Sequence, residues 1–281
     1  MPMSEAFHVQ PAAEFDLTAL ADLYTRAFAD YVYPVIVTSA ELARRIPVER
    51  IDLDRSRIAY VDQTPAGLAL LCLEGDHACC GGFGITTPFR GRGIATPLTI
   101  AMLEAAREAG ARHLRLIVLV ENEPAVRTYL RAGLRIRRTL ETWTWRRPPA
   151  CPPVLSMLPV RAAPPAALLA HFAALHTIPP IWSRDLPTLQ RTPDLSGWAV
   201  FTVNERLTAY ALVNHCIDGS AELVDIAAED TDGAWAVIHV LQATYDRITL
   251  SNEPVESPLA ALFAAAGFVT AYPRYEMDIA L

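Results

Sequence analysis

Apolar residues along this chain alternate between two spacings. Phe15, Leu20, Leu23, Tyr24 and Phe28 recur at helical intervals, and Leu42 and Ile46 repeat the pattern on a second segment opened by Ser39. Ile58–Val61, Gly67–Leu73 and Cys79–Thr86 are short apolar runs separated by the turn residues of Asp62–Pro65 and Glu74–His77, which predicts three strands. Phe7–Gln10 reads as a further short strand. A helix is predicted from about Thr96 to Ala109, with Gly110 placed to end it. His113–Val120 has the Leu, Ile and Val content of a buried strand. Pro124–Ala132 reads as a helix and Leu140–Trp145 as a closing strand.

The pattern breaks at Arg146–Pro165, where seven prolines fall within twenty residues and exclude a helix or central strand. Val154–Val160 remains a candidate first strand of the second half. The expected organisation is a domain over residues 1–147, a proline-rich connector over 148–165, and a second domain over 166–281. A fainter copy of the first half then appears. Ala59–Leu70 parallels Phe201–Leu212, and Asn122-Glu-Pro leading to Gly133 parallels Asn252-Glu-Pro leading to Gly267, which suggests an internal duplication.

Charge separates the halves. Every basic residue is Arg; residues 1–147 carry 18 Arg against 17 acids, residues 148–281 only 6 Arg against 14 acids. Neither half has the basic surface of a nucleic-acid binder. No apolar run reaches the ~20 residues of a membrane helix, and the N-terminus lacks the features of a signal peptide. Five cysteines fit no zinc spacing and read as free thiols of a cytoplasmic protein, with no metal expected.

The segment richest in chemistry is Gly82-Phe-Gly-Ile-Thr-Thr-Pro-Phe-Arg-Gly-Arg-Gly-Ile-Ala-Thr-Pro-Leu98. A strand runs into a loop with glycines at 91 and 93 and then into a helix. Glycines present bare N–H groups, and a helix N-terminus adds orphan donors and a partial positive charge. Such a loop suits a pyrophosphate, with Arg90 and Arg92 adding charge; it also suits an ordinary surface turn. Arg90-Gly91-Arg92-Gly93-Ile94-Ala95 resembles the coenzyme A loop of the GNAT superfamily of N-acetyltransferases. Asn122-Glu-Pro-Ala-Val-Arg-Thr-Tyr-Leu-Arg-Ala-Gly-Leu134 resembles the family's downstream Asn…Ala…Tyr…Gly-Phe signature at the same spacing. The resemblance covers Phe7 to about Trp145 well and the second half faintly, as in tandem forms with one working half.

This resemblance implies an α/β fold of two GNAT-like domains, each a mixed, mostly antiparallel sheet flanked by helices. It places Phe83, Gly84 and Ile85 along the pantetheine arm of acetyl-CoA and wraps Gly91, Arg92, Gly93, Ile94, Ala95 and Thr96 around the pyrophosphate, beside Arg90. Asn122 would hydrogen-bond the same molecule and Tyr129 would protonate the leaving thiolate. Tyr24, Phe28, Tyr31 and Tyr33 are candidates to line the acceptor pocket, or ordinary core. Three positions depart from the family pattern. Thr87 stands where Pro is common, and Pro97 fits an early helical position if Thr96 is the N-cap. Ile117 stands where some relatives place a glutamate base, which leaves Glu74, His77, Glu121, a water chain or the second half as candidates. Aligning Ile85 with Ile226 puts Thr231, Asp232 and Ala234 in place of Arg90, Gly91 and Gly93, so the second half is expected not to bind coenzyme A. Either it buries a flank of the first or its acidic surface recruits a cationic acceptor. The expected activity is acyl transfer from acetyl-CoA to a small-molecule or peptide amine, with a non-catalytic acyl-CoA-binding or sensor protein as the alternative. Acceptor, acyl length and oligomeric state stay open.

Overall fold

The computed structural model describes residues 6–149 and 158–281. The chain divides into two compact units: residues 1–137 with Tyr275–Leu281, and Arg138–Arg274. This division falls ahead of the prolines, and the last seven residues return to the first unit. The expected boundaries near 147 and 166 therefore differ from the compact units.

In the first unit the order is β1 (Phe7–Pro11), α1 (Leu17–Ala27), α2 (Ser39–Glu49), β2 (Ile51–Val61), β3 (Thr64–Glu74), β4 (His77–Ile85), α3 (Ala95–Glu108), β5 (His113–Leu119) and α4 (Glu123–Arg131). The strands lie in the order β1-β2-β3-β4-β5, followed by the end of the chain's last strand, β12 (Val269–Ala280). Pairing is antiparallel from β1 to β4 and parallel between β4 and β5. β3 is buried from Ala66 to Cys72, as expected of a strand covered by helices on both faces. Ala69 and Leu71 pack with Leu98, Met102 and Ala106 of α3 and with Leu114 and Leu116 of β5.

Local chemistry moves several boundaries. α1 starts at Leu17 because the Asp16 carboxylate accepts from the backbone N–H groups of Thr18 and Ala19. Thr38, not Ser39, caps α2, in a reciprocal capping box with Glu41. β2 begins seven residues before the predicted Ile58. Its polar Asp-Arg-Ser-Arg stretch hid it, and the Ser56 hydroxyl repairs the interrupted ladder by accepting from Leu71 N–H while donating to the Asp52 carbonyl. The helix predicted from Thr96 begins at Ala95, with Ile94 as its cap residue, so Thr96 is not the N-cap. Pro97 is then the third helical residue, where its missing N–H costs no helical bond.

The second unit begins within β6 (Arg135–Arg146). It continues with β7 (Val160–Ala163), α5 (Pro165–Leu169), α6 (Phe172–Leu175), α7 (Leu186–Arg191), β8 (Ser196–Phe201), β9 (Leu207–His215), β10 (Ser220–Ala228), α8 (Thr231–Thr244), β11 (Arg247–Pro254) and α9 (Ala260–Ala265). Its strands lie in the order β7-β8-β9-β10-β11-β6, with β10 and β11 parallel and β11 and β6 antiparallel. Of the candidate strand Val154–Val160, only Val160 is in β7; residues 154–157 lie outside the described residues. The two units repeat one plan, and in each the sixth strand comes from the other half of the chain.

The second unit is held around a buried charge cluster. Asp225, fully buried, receives hydrogen bonds from the Tyr210 hydroxyl at 2.7 Å, His176 Nε2 at 3.2 Å and Arg184 Nη2 at 3.3 Å. His176 Nδ1 lies 3.0 Å from the Phe172 carbonyl, so both ring nitrogens face acceptors and the imidazolium satisfies both. Burial alone would raise the Asp225 carboxyl, but the His176 bond and the Arg184 charge outweigh it and hold it below its ordinary range. Burial alone would lower His176, and its Asp225 partner raises it. A depressed Asp contributes stability above its unfolded value and loses it as pH falls through the folded one. A raised His contributes fully below its unfolded value and loses it as pH rises through the folded one. We expect Asp225→Asn to cost about 2–3 kcal/mol at pH 6, the scale of hydrogen bonds to a charged group. Urea midpoints measured from pH 4 to 9 should also lose their dependence above pH 6. An unchanged profile would remove the cluster from the stability of this unit.

Candidate functional site

In the first unit β4 and β5 stay paired only from His77↔His113 to Cys79↔Arg115. Beyond that point they diverge, and Cys80–Ile85 present an edge of β4 with no β5 partner. The ladder to β3 skips Gly81, since Leu70 pairs with Gly82 and Leu71 with Cys80, so Gly81 is a bulge. Gly82 and Gly84 face α1 at close range. A Cβ on Gly82 would stand 2.5 Å from Tyr24 Cε2, and one on Gly84 2.8 Å from Ala27 Cβ. Phe83 points the other way and meets Tyr129 edge-on, with ring centroids 5.6 Å apart.

The open edge leads through Thr86–Ile94 to α3. Gly91 and Gly93 take φ of 75° and 81°, the left-handed region that other residues enter at a cost, and a Cβ at either would meet nothing within 4 Å. The first turn of α3 has neither a side-chain cap nor an acid. Its N–H groups and the positive end of its dipole are thus open to an anion. Of the two arginines assigned to this loop, Arg90 is otherwise engaged. Its Nε donates to the Ile85 carbonyl at 2.9 Å, Nη2 to the Ala27 carbonyl at 3.0 Å and Nη1 to Asp30 at 3.0 Å. Thr87 also donates to Asp30, at 2.7 Å. Arg90 thereby ties the end of β4 to the end of α1. Arg92 is exposed, with its guanidinium 5.2 Å from the Phe89 ring centroid.

Asn122 caps α4, its Oδ1 accepting from Ala125 N–H at 3.4 Å; its amide nitrogen is a separate donor. Tyr129 lies on the inner face of α4, 5% exposed. Burial, with Cys80 and Tyr31 nearby, raises its phenol well above the ordinary range, so it carries its proton throughout the neutral range. The same surroundings push the Cys80 thiol up to about 12, through burial partly offset by the Gly82 backbone amide.

The four aromatic residues expected at the acceptor side form one contiguous array. Tyr24 stacks on Phe28 at 4.8 Å, Phe28 meets Tyr31 edge-on at 5.4 Å, and Tyr31 meets Tyr33 at 4.9 Å. The expected bases fall elsewhere. Glu74 and His77 face each other across the turn at the start of β4, about 25 Å from its loop end at ~3.3 Å per residue. Glu121 is exposed on the turn before α4. What sequence reasoning missed is Glu49, whose Oε2 lies 3.6 Å from where a Gly81 Cβ would stand, held by Arg45 one turn earlier on α2. The i, i+4 spacing of Arg45 and Glu49 was the available signal.

The second unit repeats the divergence, β10 and β11 pairing only from Ser220↔Arg247 to Glu222↔Thr249, but not the loop. Gly67 pairs with Ile85 and Ala209 with Ala228; Thr86 N–H bonds the Ala66 carbonyl and Glu229 N–H the Thr208 carbonyl. Ile85 therefore corresponds to Ala228, which corrects the alignment with Ile226. The nine residues Thr86–Ile94 shrink to Glu229 and Asp230, and Asp230 caps α8 by accepting from Gly233 N–H at 2.7 Å. The glycine-bearing loop is deleted, not substituted, and a carboxylate occupies the helix N-terminus. Asn252-Glu-Pro also lies inside β11, with Asn252 at φ 58°, and caps no helix. The matching turns, Leu134 N–H to the Tyr129 carbonyl and Phe268 N–H to the Phe263 carbonyl, put Phe263 in the place of Tyr129, without a hydroxyl.

Comparison with known proteins agrees with this geometry. Residues 18–134 match the model of the acetyltransferase (GNAT) family. The fold of the whole chain is similar to that of a GCN5-related N-acetyltransferase from Sphaerobacter thermophilus (TM-score 0.72, 17% identity, 98% of this chain and 95% of that one). It is likewise similar to a tandem GNAT protein from the clavulanic acid biosynthesis pathway (TM-score 0.69, 15% identity, 98% of each chain). A GCN5-related N-acetyltransferase from Anabaena variabilis ATCC 29413 aligns over 97% of this chain and 72% of its own (TM-score 0.65, 17% identity). At these identities the likeness concerns the fold alone. No curated protein matches the sequence. Among the described residues no helix is long and apolar enough to cross a membrane, and no cluster of His, Cys, Asp and Glu is placed to hold a metal.

Proposed function

We propose that the first unit transfers an acetyl group from acetyl-CoA to a primary amine of a small molecule or peptide. The observation that carries this reading is the open edge of β4 leading through two left-handed glycines to the uncapped N-terminus of α3. An extended amide-bearing arm fits an unpaired strand edge, and a pyrophosphate fits unclaimed helix N–H groups. Acetyl-CoA would supply the thioester, whose carbonyl carbon gains a C–N bond from a neutral amine and loses its C–S bond, the nitrogen shedding one proton to solvent as the sulfur takes one. Phe83, Gly84 and Ile85 would offer backbone groups along the arm. Gly91 to Thr96 would hold the phosphates, and Asn122 a polar group of the same molecule. A backbone N–H of β4 would stabilise the developing oxygen charge, and Tyr129 would give its proton to the departing sulfur. The aromatic array from Tyr24 to Tyr33 would receive the amine. Holding amine and thioester in line supplies much of the rate.

Only the first unit retains the loop, so coenzyme A is expected to bind once per chain. Calorimetric titration that finds two equivalent sites would overturn this. Release of free thiol from acetyl-CoA with a panel of primary amines tests the activity itself; tight binding without amine-dependent release would leave a binding protein instead.

A further inference from the structure

We propose that Arg45 and Glu49 on α2 are positioning residues that set the peptide plane of the β4 bulge, and so the direction of the Gly82 N–H. The inference deepens the acyl-transfer reading and rests on it. The bulge removes Gly81 from the ladder to β3, which leaves its carbonyl in need of a donor. Arg45 Nη2 supplies it at 3.0 Å. A planar trans peptide points its C=O and N–H in opposite directions, so a carbonyl held toward α2 sends the Gly82 N–H away from α2. There it acts on the sulfur of Cys80, whose thiolate form it favours.

Arg45 is itself fixed from three sides. Glu49 takes it as a fork, Nε to Oε1 at 2.7 Å and Nη2 to Oε2 at 3.0 Å. The guanidinium carbon lies 5.3 Å from the Tyr24 ring centroid, and Tyr24 rests on Gly82, where any side chain would collide with it. A planar guanidinium can hold a carboxylate, an aromatic face and a carbonyl at once; an ammonium cannot. Neither residue need touch the reacting atoms, since both act through the bulge.

The test follows the Gly82 amide directly, by its ¹H–¹⁵N resonance and hydrogen exchange in ¹⁵N-labelled full-length protein, beside coenzyme A affinity and turnover. Arg45→Met should move the Gly82 resonance and speed its exchange at least tenfold, with the Gly93 amide unchanged and coenzyme A affinity within about threefold. Turnover should fall about 10²-fold, the scale of one misplaced oxyanion donor. Arg45→Lys should recover less than a tenth of the lost rate. Glu49→Gln, which keeps the shape and loosens the fork, should give a smaller shift in the same direction, and it serves if Arg45→Met folds poorly. A Gly82 resonance unmoved in Glu49→Gln or Arg45→Met, or full rescue by Lys, would overturn the inference. Failure of the wild-type chain to bind coenzyme A would instead sink the acyl-transfer reading and leave the amide measurement to judge the bulge.

Discussion

Gly93→Glu is expected to weaken coenzyme A binding about 10³-fold in a protein that still folds. Two costs combine. Gly93 sits at φ 81°, and placing another L-residue there costs roughly 1–2 kcal/mol. The new carboxylate would also stand beside the phosphates; like charges about 4 Å apart repel by about 4 kcal/mol at the effective dielectric of a protein surface, before salt screening. Sterics contribute little, because a Cβ at this position meets nothing within 4 Å. Gly93→Ala separates the terms: it carries the backbone cost alone and should weaken binding about thirtyfold at most. The glutamate deficit should shrink as salt rises, and the alanine deficit should not. The exposed loop puts only the backbone term into the fold, a tolerable fraction of ordinary domain stability. Affinity unchanged in folded Gly93→Glu would place the phosphate site elsewhere.

Much of this site could be read before the fold because its signals are local. Glycines at 91 and 93 between a strand and a helix mark left-handed turns, and the spacing from Asn122 to Tyr129 and Gly133 is set within one helix and its turn. What escaped the sequence is tertiary. Arg90 carries the same charge whether it faces a phosphate or the three acceptors that hold it. The bulge at Gly81 is a register difference that neither strand shows alone. Ser56 repairs a ladder through a polar stretch that reads as loop. In the second half, the repeated letters Asn-Glu-Pro suggested an equivalence that the strand register denies, since Asn252 lies within β11. The deletion between Ala228 and Thr231 was hidden by an alignment that assumed equal loop lengths. The exchange of last strands between the units has no local signature, because β6 and β12 each read as the ordinary end of their own half.

Tyr129→Phe is expected to lower turnover about 10² to 10⁴-fold while acetyl-CoA affinity stays within a few-fold. The phenol's ordinary pKa of ~10 lies near a thiol's ~8.5, but burial in this cleft raises the phenol well above that range and by itself would weaken it as an acid. A departing sulfur in this cleft would meet the same surroundings. Cys80, beside Tyr129, shows what they do to a thiol, pushing it up to about 12. Burial that raises the phenol would raise a thiol beside it in the same direction. Because the proton is present through the neutral range, Tyr129 should contribute no loss of activity below pH ~10. The fold should tolerate the change. Phe keeps the ring against Phe83, and the second unit already carries Phe263, fully buried, at the corresponding turn. The deficit should also depend on the leaving group, shrinking with acyl thioesters of more acidic thiols, which depart without a proton. A merely structural tyrosine would show no such dependence. Wild-type turnover in Tyr129→Phe, under conditions where the chemical step limits the rate, would remove this hydroxyl from the mechanism and leave Tyr129 as a packing residue of α4.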